Sequence, residues 1–214
     1  MDDLTAHAPQ RHRIRLAALT LVGLVLLLIV GLAFYAQHVR ASAQALISSA
    51  GQIRSAADAE RQIAVWRQQF PRGYEESQST DGIGHAFKFE VRSGLLSTFH
   101  VVPSTGVSVQ VSTRSDRLLR IVVGMYTEQA SVWIQEEFSD DSQVFRVDSQ
   151  KDRSDIPMKT IVTLGSGTAE STRAKAFALN VNCLMKPGGC KSAQEMLFTV
   201  RQLESAAQTQ RPGM

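Results

Sequence analysis

The chain has 214 residues, of which 43% are hydrophobic and 20% charged, with a formal net charge of +3 and two cysteines. This length corresponds to one domain with an additional segment, and the charged fraction argues against a wholly disordered chain. No fixed repeat and no cysteine framework is present in the sequence. Collagen-like, solenoid and disulfide-rich proteins are therefore excluded.

An uncharged apolar segment follows a short N-terminus that contains arginine. Residues 16–36 include thirteen Leu, Val, Ile and Phe residues, and a helix of this length is about 30 Å long, enough to cross a bilayer. We therefore predict a transmembrane helix at 16–36, with the lipid bilayer as its partner. The alternatives are a buried core helix and a signal peptide cleaved after Ala43, although signal-peptide apolar cores are shorter, about 7 to 15 residues.

The charges that flank this segment predict its orientation. Arg11, Arg13 and Arg15 precede it, whereas Arg40 alone lies close behind it. The positive-inside rule then makes residues 1–15 a cytoplasmic tail and exports the chain after about residue 40. We expect a single-pass signal-anchor protein of the inner membrane with a periplasmic C-terminal domain.

The net charge of the exported part is close to zero. After residue 40 the chain has 19 basic and 18 acidic residues, so the basic isoelectric point reflects the flank of the anchor. We therefore predict no nucleic-acid partner.

The exported part divides into three regions by composition. Residues 37–54 are rich in Ala, Ser and Gln and are predicted to form a helical stalk or linker. An extracytoplasmic α+β domain is predicted at 55–207, and a disordered tail at 208–214.

The predicted domain begins with a helix. Ser55 and Asp58 have the spacing of a capping box. Ile63, Trp66 and Phe70 then lie on one helical face.

A period of two replaces the helical spacing between His85 and Leu164. The predicted strands are 87–92, 95–102, 107–111, 119–125, 130–138, 144–147 and 158–164. Leu119, Ile121 and Val123 are expected on the buried face of their strand. Because the connections are short, antiparallel hairpins are favoured. Polar residues at alternate positions predict a sheet with one buried face and one solvent-exposed face.

Helical spacing returns after the strands. Ala174, Phe177 and Val181 mark one helix, and a capping box from Ser192 to Glu195 begins a second. The predicted fold class is α+β: an N-terminal transmembrane helix, then an antiparallel β-meander packed against an N-terminal helix and two C-terminal helices.

The two cysteines, Cys183 and Cys190, enclose a segment that contains Pro187-Gly188-Gly189. This turn chemistry can bring the sulfurs together, and we predict a disulfide bond in an oxidising compartment. Closing a loop of eight residues is worth about 2.5 kcal/mol in the chain-entropy estimate. Free thiols and a zinc site are the alternatives, although zinc would need two further ligands.

A glycine-containing segment after the last strand is a candidate nucleotide site. Gly165, Ser166 and Gly167 follow a strand as a dinucleotide-binding loop would, but Glu170 occupies the third glycine position. The segment is therefore interpreted as a turn, with Ser166 or Thr168 as the cap of the next helix.

Asp81, His85 and His100 could meet as metal ligands, but lone histidines on strands are more often surface residues. The acidic pairs Glu136-Glu137 and Asp140-Asp141 are predicted to be the solvated end of a hairpin. We predict no catalytic, cofactor-binding or metal-binding residue and no cofactor.

The segments Asn182-Cys183-Leu184 and Gly189-Cys190, after an apolar N-terminus and a strand-rich middle, resemble uncharacterised bacterial single-pass membrane-anchored proteins. The resemblance is specific over about residues 174–197 and implies no activity.

The layout is also similar to that of type IV pilin-like proteins, which place an apolar helix before an antiparallel sheet and a C-terminal disulfide. Type IV pilin-like proteins have a glycine-aromatic cleavage site followed closely by a glutamate inside the apolar segment. Residues 16–36 contain no glutamate, and no Gly-Phe pair precedes this segment. The sequence therefore departs from the pattern on which the processing and assembly of pilins depend.

These observations predict a membrane-anchored module that binds or scaffolds another envelope protein and is not an enzyme. The alternatives are a pilin-like structural subunit, an envelope enzyme with an unrecognised site, and a secreted protein released after Ala43.

Overall fold

The computed structural model describes residues 8–78, 84–98, 104–115, 117–139, 145–151 and 156–209. The helices are α1 (Ala8–Ala50), α2 (Ala56–Gln69), α3 (Gly94–Thr98), α4 (Glu170–Ala176), α5 (Ala193–Met196) and α6 (Val200–Thr209), with a 3-10 helix at Val181–Leu184. The strands are β1 (Tyr74–Gln78), β2 (Gly84–Arg92), β3 (Gly106–Arg114), β4 (Arg117–Tyr126), β5 (Ser131–Glu137), β6 (Arg146–Lys151) and β7 (Pro157–Leu164). The chain forms two compact units, Met1–His38 and Val39–Met214.

The first unit contains the apolar part of α1, and its large side chains are exposed. Leu19 and Leu27 are each 70% exposed and Phe34 is 74% exposed. A core helix would bury such residues, so that alternative is excluded. Within the described residues, one helix is long and apolar enough to cross a membrane, which fits a single-pass anchor.

The last part of α1 belongs to the second unit. Val39, Ala43, Leu46, Ile47 and Ala50 are all at most 4% exposed, and their spacing of three or four residues places them along one helical face. The segment predicted as a stalk or linker therefore supplies one side of the domain core.

Helix α2 begins as its sequence predicts and buries Ile63 and Trp66, whereas Phe70 lies just after its last residue. The Ser55 side chain accepts a hydrogen bond from the Asp58 backbone N–H, as an N-cap does. Trp66 is 1% exposed, its ring contacts Phe89 with centroids 5.1 Å apart, and its Nε1 donates to Ser49 Oγ at 3.0 Å. Trp66 thus joins α2 to α1 and β2.

The seven strands form one sheet in the order β1-β2-β3-β4-β5-β7-β6. The α+β class and the mostly antiparallel sheet are confirmed. The prediction of a continuous antiparallel meander is wrong at the end of the sheet, because β7 lies between β5 and β6 and pairs with β5 in parallel. Strand β1, which has little alternation, was not predicted.

The prediction of a strand at 95–102 is wrong where the structure describes it. Gly94–Thr98 is the short helix α3, in which the Ser97 N–H donates to the Ser93 carbonyl. Residues 99–102 lie outside the described part of the chain. Only Leu96 of this helix is buried, so its apolar residues do not face the core alternately.

Strand β4 contains an irregularity that reverses one prediction. Thr113 pairs with Leu118 and Ser112 pairs with Arg120, which leaves Leu119 as an extra residue. Leu118 is 7% exposed, whereas Leu119 is 40% exposed. The prediction that Leu119 shares the buried face of Ile121 is therefore wrong, because a bulge shifts the alternation.

The two predicted C-terminal helices are four shorter pieces. The cap at Ser192 is confirmed, since its side chain accepts from the Glu195 N–H. The helix ends early because Leu197 is extended, with φ −136° and ψ 94°. Helix α4 is capped by Ala169 rather than by Ser166 or Thr168. Helix α6 continues to Thr209.

The two faces of the sheet differ in burial. Val109, Val123, Ile134 and Val162 lie in one cross-strand row and are each 0% exposed. We call this side the inner face; α2 packs on it through Trp66 and Phe89. The alternate side chains form the outer face, which includes Lys88, Glu90, Arg92, Ser108, Gln110, Tyr126, Trp133 and Gln135.

Candidate functional site

Two aromatic side chains on the outer face each lie over a glycine of the neighbouring strand. Tyr126 is directly opposite Gly106, and Trp133 is directly opposite Gly124. A Cβ at Gly106 would lie 2.5 Å from Tyr126 Oη, and a Cβ at Gly124 would lie 2.9 Å from Trp133 Cη2. Only glycine admits so close a ring. The outer face therefore has two half-buried rings, one on β4 and one on the neighbouring strand β5.

Tyr126 is anchored by a charged side chain on β2. Its hydroxyl donates to Glu90 Oε1, while Arg92 Nη2 donates to Glu90 Oε2 at 2.7 Å. Burial is the largest single effect and raises the pKa of Glu90, but the hydrogen bonds from Arg92 and Tyr126 and the charges of Arg92 and Lys88 together hold this pKa below its ordinary value. Burial and the bond to Glu90 raise the pKa of Tyr126 to about 12. At neutral pH Glu90 is charged and Tyr126 is a neutral donor.

A cleft of about 390 Å³ lies beside this pair. It is lined by Arg72, Gly73, Tyr74, Glu75, Lys88, Glu90 and Arg92. We call it the β1–β2 cleft. Gly73 approaches β2 closely, since the Glu90 N–H donates to its carbonyl at 2.9 Å.

The cleft has more cations than carboxylates. Lys88 Nζ lies 3.6 Å from Glu75 and 3.9 Å from Glu90, and Arg92 Nη2 donates to Glu90 Oε2. Arg72 has no ion-pair partner among the residues that the structure describes. Three cations and two carboxylates line the cleft, so its local charge favours an anionic group.

The structure describes one of the three candidate metal ligands. His85 Nδ1 lies 3.6 Å from Glu76 Oε1, and its ring is stacked on Phe87 with centroids 6.0 Å apart. Asp81 and His100 lie outside the described residues. Over the described ranges, no group of three His, Cys, Asp or Glu side chains could hold a metal ion.

The prediction that Glu136 is solvated is wrong. Glu136 is 7% exposed and Arg173 is 4% exposed, and they form a two-pronged ion pair, with Arg173 Nη2 donating to Glu136 Oε2 at 2.5 Å. Arg173 also donates to the carbonyls of Gly51 and Ile53. The pair fixes the turn after α1 to α4 and β5. Asp140 and Asp141 lie outside the described residues.

The candidate dinucleotide-binding loop forms a turn, in which the Thr168 N–H donates to the Gly165 carbonyl at 3.0 Å. It leads into the seven-residue helix α4. Thr168 Oγ1 is buried and has no hydrogen-bond partner among the residues that the structure describes.

The predicted disulfide is confirmed. Cys183 and Cys190 are bonded, with their Cα atoms 5.2 Å apart, and are 0% and 2% exposed. Gly188 and Gly189 have positive φ values of 76° and 68°, which glycine adopts without strain. The Cys190 carbonyl accepts from Thr127 Oγ1 at 2.9 Å, so the loop is also tied to the β4–β5 connection.

An apolar cleft lies beside the disulfide. Its volume is about 460 Å³, and its lining includes Met185, Cys183, Cys190 and Phe198. Phe198 is 67% exposed, and Lys186 is paired with Glu195 at 2.5 Å on the rim. Its lining shares no residue with the β1–β2 cleft or with the two rings, so Lys186 and Phe198 provide matched control positions.

Comparison with protein-family models, with curated protein sequences and with solved structures finds no match to the chain. The functional assignment therefore depends on the geometry of the chain itself.

Proposed function

We propose that the chain is a membrane-anchored extracytoplasmic module that binds or scaffolds a component of the cell envelope. Residues 16–36 hold it in the inner membrane as a single-pass signal-anchor, with the N-terminus in the cytoplasm and the domain in the periplasm. The proposed role is binding rather than catalysis.

The observation that carries this proposal is an exposed apolar helix on the same chain as a disulfide-bonded domain. Exposed apolar surface of this extent is unfavourable in water and favourable in lipid. Disulfides persist in oxidising compartments such as the periplasm. The arginines before residue 16 support the direction of insertion.

The binding role is supported by the outer face. Its aromatic rings, amides and charged cleft resemble the mixture found where proteins bind partners, with aromatic residues and arginine prominent. The sequence predicts an envelope protein as a possible partner but does not predict the face that binds, and the outer face is proposed here as the surface on which an envelope component docks.

Site-specific photocrosslinking in intact membranes tests the proposal. A photoreactive residue replaces Gln110 or Gln135 on the outer face, and a matched control replaces Leu95, which is 50% exposed on α3. We expect discrete crosslinked species from the outer-face positions and none from the control. Equal crosslinking from all three positions, or none from any, would contradict a binding function of this face.

A pilin-like structural subunit is the second candidate, because α1 runs from Ala8 to Ala50 and buries its last turns in a domain with a mostly antiparallel sheet. Its C-terminal disulfide also agrees with that layout. The absence of glutamate from residues 16–36 opposes it. Sequencing the N-terminus of the protein isolated from membranes decides the matter: an uncleaved start rules this candidate out.

A further inference from the structure

We propose that the outer face binds a glycan that bears carboxylate or phosphate groups. The β1–β2 cleft holds the anionic group, and the rings of Tyr126 and Trp133 pack against sugar rings. This inference rests on the proposed function, because it names the chemistry of the component that the module binds.

The cleft has the donors that an anionic group requires. Arginine presents its N–H donors in a planar fork that matches carboxylate and phosphate oxygens. Arg92 donates to Glu90 through Nη2, and Arg72 has no ion-pair partner in the described part of the chain. Because Glu90 stays charged and binds Arg92, the guanidinium of Arg92 is positioned before a ligand arrives.

The two rings continue the site across the sheet. Tyr126 contacts Glu90 through its hydroxyl, so the first ring borders the cleft. Trp133 lies one strand farther, in the cross-strand row of Ser108 and Gly124. Adjacent strands are about 4.8 Å apart, so the distance from β2 to β5 is about 14 Å. This length suits an oligosaccharide better than a single small anion.

The outer face also has uncharged side chains that can donate and accept hydrogen bonds. Gln110 and Gln135 are half-buried members of this group, and their amide groups match the hydroxyl groups of a sugar. The apolar C–H faces of sugar rings can pack on aromatic rings, which have a negative face. The surface therefore combines the apolar and polar contacts that a glycan needs.

Two other polymers fit the face less well. The backbone groups of β2 to β5 are already paired within the sheet, so an extended peptide cannot add a strand there. The cleft has an excess of a single positive charge, whereas nucleic-acid binding depends on neutralising many phosphates. An acidic peptide is kept as an outcome of the test.

The test measures binding of defined probes to the full-length protein in nanodiscs of zwitterionic lipid. The probes are oligogalacturonate, a phosphate-bearing glycan, uncharged dextran oligomers, oligoglutamate and inorganic phosphate. Calorimetry gives the affinity, and tryptophan fluorescence reports contact with the ring, since Trp66 is buried and the chain has two tryptophans. We expect at least one anionic glycan to bind more tightly than dextran, oligoglutamate and phosphate.

The variants separate the cleft from the rings. We expect Arg72→Gln to weaken binding of the anionic glycan about tenfold, the loss typical of a charge-assisted hydrogen bond. Trp133→Phe is expected to abolish the fluorescence change while retaining most of the affinity, and Trp133→Ala to lower the affinity. The matched controls are Phe198→Ala and Lys186→Gln, which change residues of the apolar cleft beside the disulfide. Both should bind the anionic glycan like the wild type.

The inference is overturned if no anionic glycan binds, if oligoglutamate binds as tightly, or if Arg72→Gln binds like the wild type. A selective response to the uronate or to the phosphate-bearing glycan identifies the source of the anionic group. If glycans fail but photocrosslinks from Gln110 persist, this inference is rejected and the binding function stands. If both fail, the proposed function is rejected as well.

Discussion

The buried ion pair between Arg173 and Glu136 should be the most sensitive point of the domain outside the hydrophobic core. Arg173→Met keeps most of the side-chain volume but removes the charge and all donors. Glu136 then remains buried without its partner. Breaking a buried pair in this way costs about 3 to 5 kcal/mol, which is a large part of a typical domain stability of about 5 to 15 kcal/mol.

The carbonyls that Arg173 also contacts should add little to this cost. Gly51 O and Ile53 O both accept hydrogen bonds from Arg54 Nη1, at 2.7 and 3.2 Å, so they are not left unsatisfied. The loss in free energy of unfolding therefore comes from the Glu136 carboxylate, which stays buried without its ion-pair partner. Replacing both members with apolar residues, Arg173→Met with Glu136→Leu, should recover much of the loss.

Urea unfolding of the full-length protein in detergent micelles measures the effect. Trp66 and Trp133 both lie in the domain, so tryptophan fluorescence follows its unfolding. Lys186→Gln is the control, because it breaks an ion pair whose side chains are 50% and 36% exposed, and such pairs contribute about 0 to 1 kcal/mol. An Arg173→Met variant within about 1 kcal/mol of the wild type would refute this reasoning.

Four smaller changes test other parts of the structure. Cys183→Ser should lower the free energy of unfolding by about 2.5 kcal/mol, measured against the wild type under non-reducing conditions; no loss would mean that the loop is not constrained in the native protein. Ser55→Ala should cost about 1 kcal/mol in the same urea assay, because α2 loses its N-cap. Gly124→Ala should cost about 1 to 3 kcal/mol, since the new Cβ displaces the Trp133 ring, and an unchanged midpoint would contradict the packing. The pKa of Glu90 is lower in the folded protein than its ordinary value of 4.5. The Glu90 carboxylate therefore contributes its full stabilisation above pH 4.5 and loses it as the pH falls below 4.5 toward the pKa of the folded protein. Glu90→Gln should accordingly lose less free energy of unfolding on acidification than the wild type, in the same urea assay.

Local patterns in the sequence predict the elements that depend on local physics. The cap at Ser55 and the buried face with Ile63 and Trp66 follow from short-range spacing, as does the cap at Ser192. The disulfide follows from a turn of proline and glycine between two cysteines. In each case the deciding contacts lie within about eight residues of one another.

Features that depend on distant partners could not be predicted in this way. Glu136 is buried because Arg173, far along the chain, neutralises it. The position of β7 between β5 and β6 depends on strand pairing that the alternation of side chains does not encode. The bulge at Leu119 arises between two adjacent leucines, either of which could face the core.

The candidate site was also missed for a physical reason. Tyr126 and Trp133 reveal their role only when the strand register places a glycine opposite each ring. Gly106 at the start of β3 and Gly124 within β4 were the available signal, because glycine in a strand often marks the close approach of another group.

The topology of the chain in a bacterial membrane tests the central claim most directly. Spheroplasts of cells that produce the protein are treated with protease, and the domain is followed by an antibody, before and after detergent lysis. We predict that the full-length protein sediments with membranes and requires detergent for release, and that protease removes the domain in intact spheroplasts. A full-length protein recovered in the soluble cytosolic fraction without detergent, or a domain that protease reaches only after lysis, would contradict the account.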